Sequence, residues 1–367
     1  MRVVVAPDSF KGTISAAGAA AALASGWHRE RPGDEVIGLP LADGGEGTLA
    51  VLAAAVPASR WHQVRVSGPG DAMFRAPWLE LAGNVAVIEL ATAAGLTQLP
   101  ELQPLAAHSY GVGQLAASAL DAGASQVVIA LGGSACTDGG TGALAALGAC
   151  FLDAGGAPLP RGGGALRGLA AVDLAGLRPP PPGGVSCLTD VGAPLLGPAG
   201  AAAVFGPQKG AGPAEVAALE EGLTRLAGLL GGDPDEPGAG AAGGCGYGFA
   251  AAWGARLRPG AAELAAIAGL PQALADADLV ITGEGQYDAT SLRGKVVGAV
   301  CVLAGSAPGR ESRAAVPVAI VAGRLAAMPP EGVRAVELTA LAGGGRAAMD
   351  EPGRWLAEAG ALLARGS

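Results

Sequence analysis

Two stretches at opposite ends of the chain share one grammar, and that grammar is the strongest constraint on the fold. Near the start, Val3-Val4-Val5-Ala6 reads as a buried strand. It ends in the polar loop Pro7-Asp8-Ser9-Phe10-Lys11-Gly12, and Thr13 or Ser15 then caps an alanine-rich helix to about Gly26. Glu35-Val36-Ile37-Gly38-Leu39 repeats the pattern, running into Ala42-Asp43-Gly44-Gly45-Glu46-Gly47-Thr48 and an apolar helix over 48–55. The far end supplies a strand at Asp278-Leu279-Val280-Ile281, a helix near 295–305, a strand over 316–321 and a helix over 350–365. Such strand–loop–helix alternation predicts a parallel sheet with ligands at the carboxyl ends of its strands.

The middle reads differently. Residues 61–66, 73–81 and 85–90 are separated by Gly-Pro-Gly and Gly-Asn turns and predict an antiparallel meander. A helix over 109–122 and a strand over 126–131 follow. The glycine- and proline-rich tract 155–184 predicts a flexible crossing loop, and a second tract, 231–246, precedes a helical 247–256. The reading is therefore two α/β domains. One is a discontinuous parallel domain of Rossmann or flavodoxin-like type, residues 1–60 and 265–367; the other is an inserted mixed α/β domain over 61–264.

Composition narrows the function. Half of the 367 residues are hydrophobic and 15% are charged, which excludes global disorder. The net charge of −9 argues against a nucleic-acid or anionic-membrane surface. No uninterrupted apolar run reaches the length of a spanning helix. Val3-Val4-Val5 follows Met1 and Arg2 directly, leaving no room for a signal peptide. The five cysteines (136, 150, 187, 245, 301) are odd in number and form no C-x-x-C, so a disulfide framework or zinc site is not expected and a reducing cytoplasm is. Cys150 and Cys301, in alanine-rich runs, are expected in the core.

Chemistry concentrates in glycine-rich clusters after strands: Asp8 to Gly12, Asp43 to Thr48, Gly132-Gly133-Ser134 running to Asp138 and Gly142, and Thr282-Gly283-Glu284-Gly285-Gln286-Tyr287-Asp288 continuing through Ser291-Leu292-Arg293-Gly294-Lys295. A fifth segment pairs Thr189-Asp190 with Gln208-Lys209-Gly210. Double glycines let backbone N–H groups approach an anion. The chain's three lysines, 11, 209 and 295, each adjoin a glycine, as a phosphate-binding ammonium near exposed backbone would. No Walker motif occurs, and the Gly111-Val112-Gly113 string reads as a helix start. A carboxylate within Gly283-Glu284-Gly285 would repel a bare pyrophosphate unless a divalent ion intervened. The scattered histidines (28, 62, 108) give serine-hydrolase chemistry no support. Carboxylates, lysines and backbone donors are the parts of phosphoryl transfer.

These strings, with Gly206-Pro207-Gln208-Lys209-Gly210-Ala211 and Gly254-Ala255-Arg256-Leu257-Arg258-Pro259-Gly260, resemble the bacterial glycerate kinase family that is not P-loop, ribokinase-like or actin-like. The resemblance spans nearly the whole chain in order. It implies ATP- and Mg²⁺-dependent phosphorylation of D-glycerate, usually on the 2-hydroxyl, by two α/β domains with the active site in the cleft between them. It implies D-glycerate and ATP as partners, with a homodimer allowed and neither nucleic acid nor membrane. The chain departs from the family pattern where Cys136 and Thr137 replace Thr and Asn, where Gln286-Tyr287-Asp288 replaces Arg-Ile-Asp, and where Ala193 replaces Asn.

On that resemblance the roles are assigned as follows. Asp8, Ser9 and Lys11 meet the glycerate carboxylate or the transferred phosphoryl group, with Asp43, Gly44 and Gly45 completing the substrate side. Asp43 and Glu46, or Asp190 and Glu284, hold Mg²⁺. Asp190 or Asp288 is the base. Lys209, Lys295, Gly283 and the turn Gly132-Gly133-Ser134 receive nucleotide phosphates. Two alternatives stay open: a nucleotide-dependent oxidoreductase using Gly283 to Asp288, and a glycerate-binding regulator without turnover.

Overall fold

The computed structural model describes residues 1–292, 294–306 and 315–367; Arg293 of the fourth cluster lies outside them. Contacts divide the chain into two compact units. Met1–Asp43, Ala50–Pro57 and Pro259–Ser367 make a terminal unit, and Gly44–Leu49 with Ala58–Arg258 make a middle unit.

The terminal unit is built on five parallel strands: β1 (Arg2–Val5), β2 (Glu35–Gly38), β11 (Leu279–Tyr287), β12 (Val318–Leu325) and β13 (Arg334–Glu337), in the order β13-β12-β11-β1-β2. Counted within the unit this is the flavodoxin-like order 2-1-3-4-5, whose switch point lies between β1 and β11. Consecutive valines suit a strand covered on both faces. Val3 and Val5 pack with Leu279 and Ile281 against helices Ala16–Glu30 and Pro352–Arg365. Val4 and Val280 turn the other way, towards helices Gly260–Ile267, Leu270–Ala275 and Val296–Gly305. Ser15 rather than Thr13 caps the first helix, its Oγ accepting from the Gly18 N–H at 3.1 Å. Its last turn carries Trp27, fully buried, whose indole N–H donates to Asp34 at 3.0 Å.

The middle unit holds the six-stranded mixed sheet β10-β9-β6-β5-β4-β3, made of β3 (Arg60–Ser67), β4 (Met73–Leu81), β5 (Val85–Glu89), β6 (Gln126–Ala130), β9 (Val185–Leu188) and β10 (Arg256–Arg258). β3, β4 and β5 form the antiparallel meander and the remaining pairs are parallel. The tract 155–184 is more ordered than its composition suggests. Within it β8 (Ala171–Asp173) pairs antiparallel with β7 (Cys150–Leu152), and a 3₁₀ segment spans Gly163–Gly168. Strands of three residues are too short to print a periodicity. The helix expected over 247–256 instead spans Ala241–Trp253, opening with positive φ at Ala242, Gly243 and Gly244. The cysteine expectation is also corrected: Cys150 is exposed and Cys301 half-buried, while Cys136, Cys187 and Cys245 are buried. No helix among the described residues is long and apolar enough to cross a membrane.

Trp27 fills the interior between the sheet of the terminal unit and its carboxyl-terminal helix, so truncating it leaves a cavity, while Asp34 keeps its bond from the Arg31 guanidinium at 2.6 Å. Trp27→Ala should destabilise the terminal unit by about 3–5 kcal/mol. Denaturant unfolding checks this as a lowered midpoint.

Candidate active site

The switch point of the terminal sheet is where its polar loops meet. The Ala6 N–H donates to the Ile281 carbonyl at 2.7 Å, and the Asp8 N–H donates to the Gly283 carbonyl at 2.8 Å. The Thr282 hydroxyl returns a bond to the Ala6 carbonyl at 2.9 Å, and the Leu41 N–H donates to that of Pro7. These bonds carry the β1 pairing past the strand end and set Asp8 beside β11. The expected turn after residue 281 is corrected: β11 continues to Tyr287. Gly283 therefore lies inside a strand, and a Cβ there would collide with the Val321 carbonyl oxygen. Its glycine serves strand packing rather than a phosphate turn.

A cavity of about 560 Å³ opens at this point, within the size range of small-molecule sites. Asp8, Ser9, Lys11, Asp43, Glu284, Asp288 and Lys295 all line it, so these seven expected residues are brought together. Phe10, Leu338 and Met349 give it an apolar wall. Lys11 Nζ is 3.7 Å from Asp43, and Lys295 Nζ is 3.9 Å from both Glu284 and Asp288. Lys295 also stands at the N-terminal end of helix Val296–Gly305, which adds dipole charge of the same sign.

The carboxylates are not equivalent. Burial, then the neighbouring Asp43 charge, pushes Asp8 up to about 7, against the opposing Ser9 hydrogen bonds and Lys11. Burial also raises Glu284, whose Oε1 has no hydrogen-bond partner among the described residues. Asp288 is lowered, its Oδ1 accepting from the Thr290 hydroxyl at 2.6 Å and the Thr290 N–H at 2.8 Å. One acid is thus poised to exchange a proton near neutrality while another stays ionised, the separation that acid–base chemistry uses.

The remaining expected residues belong to the middle unit. The Gly132 N–H donates to the Gly44 carbonyl at 3.0 Å, and Gly132 lies against the Gly45 backbone, so these two glycine-rich turns pack on each other. The N–H groups of Gly133 and Ser134 make no hydrogen bond among the described residues and are the donors in this turn that a phosphate oxygen can take. Glu46 is exposed. The loop that carries it is fixed by Glu89, a residue the sequence reading missed, whose buried carboxylate accepts from Gly47 and Leu49 at 3.0 and 3.1 Å. Asp190 follows β9, where the Thr189 N–H donates to the Arg258 carbonyl.

Lys209 departs from its expected place. It is 1% exposed, and its ammonium donates to the Cys136 carbonyl at 2.5 Å, with Thr137 Oγ1 at 3.5 Å. It is an interior tie, not a cation facing solvent. Beside it, ligand atoms of Cys136, Asp138 and Cys245 lie within 4.8 Å of one another. The Asp138 carboxylate is already spent on N–H donors from Ser109, Gly140 and Gly142 and on the Ser109 hydroxyl. The Cys245 thiol is raised by its hydrogen bond with Cys136 and by burial. With the Asp138 carboxylate spent and the Cys245 thiol raised, this is a structural cluster rather than a cation site.

Arg324, Leu338, Thr339 and Met349 were also missed at the cavity. Only the Ala322-Gly323-Arg324 step, with a glycine just before the arginine at the end of a strand, hinted at any of them.

Comparison with known proteins shows the following similarities. The pattern of the glycerate kinase family matches residues 3–365. The chain is 40% identical over 307 residues to glycerate 2-kinase of Escherichia coli strain K12, covering 81% of this chain and 80% of that protein. It is 42% identical over 306 residues to glycerate kinase of Bacillus subtilis strain 168, covering 80% and 79%. A solved chain from Salmonella typhimurium LT2, a candidate glycerate kinase 2, superposes with a TM-score of 0.84 at 37% identity, covering 100% of this chain and 98% of that one.

The raised Asp8 has a thermodynamic signature. Folded, it keeps its proton up to about pH 7; unfolded, it loses it near 3.8. Between those values the folded state binds more protons, so this group makes stability fall as pH rises from about 4 to about 7 and leaves it level above. Asp8→Asn should therefore raise Tm over the parent at pH 8, with the gap closing towards pH 4. Thermal melts across pH check this; a gap independent of pH contradicts it.

Proposed function

The chain belongs to the glycerate kinase family, and we propose that it transfers the γ-phosphoryl group of ATP to the 2-hydroxyl of D-glycerate, giving 2-phosphoglycerate and ADP. The observation that carries this reading is Asp8, a buried carboxyl poised at about 7 between Lys11 and Asp43 at the switch point of a parallel sheet. Membership in a kinase family displaces the oxidoreductase alternative.

Asp8 accepts the hydroxyl proton as the glycerate oxygen bonds to the γ-phosphorus and the bond to the ADP oxygen breaks. Asp288 is a weaker candidate for that base, because Thr290 holds its charge in place. Lys11 and Lys295 bring positive charge to the transferring oxygens, where a preformed cation lowers the barrier without reorganisation. The residues present also fit Mg²⁺, a hard cation that takes one or two carboxylates plus phosphate oxygens. The Oε1 of Glu284, without a hydrogen-bond partner among the described residues, with ionised Asp288 nearby, is such a donor set. When bound there, Mg²⁺ supplies charge neutralisation to the phosphoryl group.

A coupled ADP-release assay with D- and L-glycerate tests the reaction, and phosphorus NMR of the product tests the position. D-Glycerate should release ADP and give a phosphorus doublet, from a single proton on the phosphorylated carbon. A triplet would place the phosphate on the 3-hydroxyl, and no ADP would refute the activity. Lys11→Ala, at a largely exposed side chain, should lower kcat by about 10²-fold or more with Tm unchanged; near-parental turnover would remove Lys11 from the site.

A further inference from the structure

Among the described residues three cations line the cavity, and two already face resident carboxylates. Lys11 faces Asp43, and Lys295 faces Glu284 and Asp288. The third, Arg324, forms no ion pair among the described residues although its side chain is exposed at the cavity. Strand register fixes where it points. Arg324 of β12 is directly opposite Gln286 of the parallel β11, and Ala322 is opposite Glu284. Side chains alternate along a strand, so Glu284, Gln286 and Arg324 leave the sheet on one face.

We infer that Arg324 binds the carboxylate of the acid substrate and thereby selects an acid over a neutral polyol. This rests on the phosphoryl-transfer reading above. A substrate carboxylate entering a cavity that holds Asp8, Asp43, Glu284 and Asp288 meets like charge, and it binds only against a cation not already neutralised. A planar guanidinium gives a carboxylate two parallel charge-assisted hydrogen bonds, which an ammonium does not. The position is also consistent with the sequence departure at 286. There the chain carries a neutral glutamine, which bonds to Asp288, while the guanidinium stands one strand over at the same level.

Three variants test this by steady-state kinetics, calorimetric titration of D-glycerate and thermal melts: Arg324→Ser, Gln286→Arg, and the two combined. Arg324→Ser should raise the KM and Kd for D-glycerate about 10- to 100-fold, the worth of one or two charge-assisted hydrogen bonds. KM for ATP and Tm should stay within about twofold and a few degrees of the parent. Its preference for D-glycerate over glycerol should shrink by the same factor. The combined variant, which moves the guanidinium to the adjacent strand, should recover most of the loss; a residue with a merely structural role would not be rescued this way. An unchanged Kd for D-glycerate in Arg324→Ser, an equal rise in KM for ATP, or no recovery in the combined variant would overturn the inference. Should the parent enzyme release no ADP from glycerate, the kinase reading fails while the titration still decides whether Arg324 holds the acid.

Discussion

The hydrogen bond from the Asp8 N–H to the Gly283 carbonyl joins residues from opposite ends of the chain, and the candidate site depends on it. It continues the β1–β11 pairing beyond the regular strand, so an acidic loop and an acidic strand end come to lie side by side. The pairing itself is driven by burial. Val3, Val4 and Val5 are fully buried, with alternate side chains committed to opposite faces of the sheet. A one-residue slip would exchange those faces and move Asp8 off its partner. Register, and through it chemistry, is therefore set by the hydrophobic effect on both sides of one strand pair.

The electrostatics follow from that placement. Among the described residues four carboxylates and three cations line one cavity of the terminal unit, and the carboxylates differ by burial and by local hydrogen bonds rather than by residue type. Asp8 is desolvated and beside Asp43, so it is pushed up to about 7 and exchanges a proton near neutrality; Asp288 is held ionised by Thr290. A buried, proton-holding carboxyl costs stability near neutral pH, the usual trade between a poised site and a stable fold. The middle unit shows the opposite use of buried polar groups. Asp138, Ser109, Lys209 and Glu89 have their donors and acceptors matched within the protein and tie loops together.

Much of this was legible from the residues. Continuous apolar strands, caps and glycine-rich loops announced the parallel sheet from both chain ends, and the seven residues that share the cavity came from loops singled out by acidic, lysine and glycine content. What escaped has physical reasons. Lys209 beside Gly210 has the look of an exposed phosphate loop, but its burial depends on a carbonyl far away in sequence, that of Cys136. Gly283 has the look of a turn because only the proximity of Val321 explains its missing side chain. Arg324 reads as an ordinary surface arginine until the register sets it opposite Gln286. The three-residue strands β7 and β8 carry no pattern long enough to detect.

The central claim is that the acid substrate sits in the cavity of the terminal unit with its hydroxyl presented to Asp8. A crystal structure of the protein soaked with D-glycerate tests it most directly. The account predicts density for the acid with a hydroxyl within hydrogen-bond reach of the Asp8 carboxyl and its carboxylate against the guanidinium of Arg324. Well-ordered glycerate elsewhere, with this cavity holding only solvent, would contradict it.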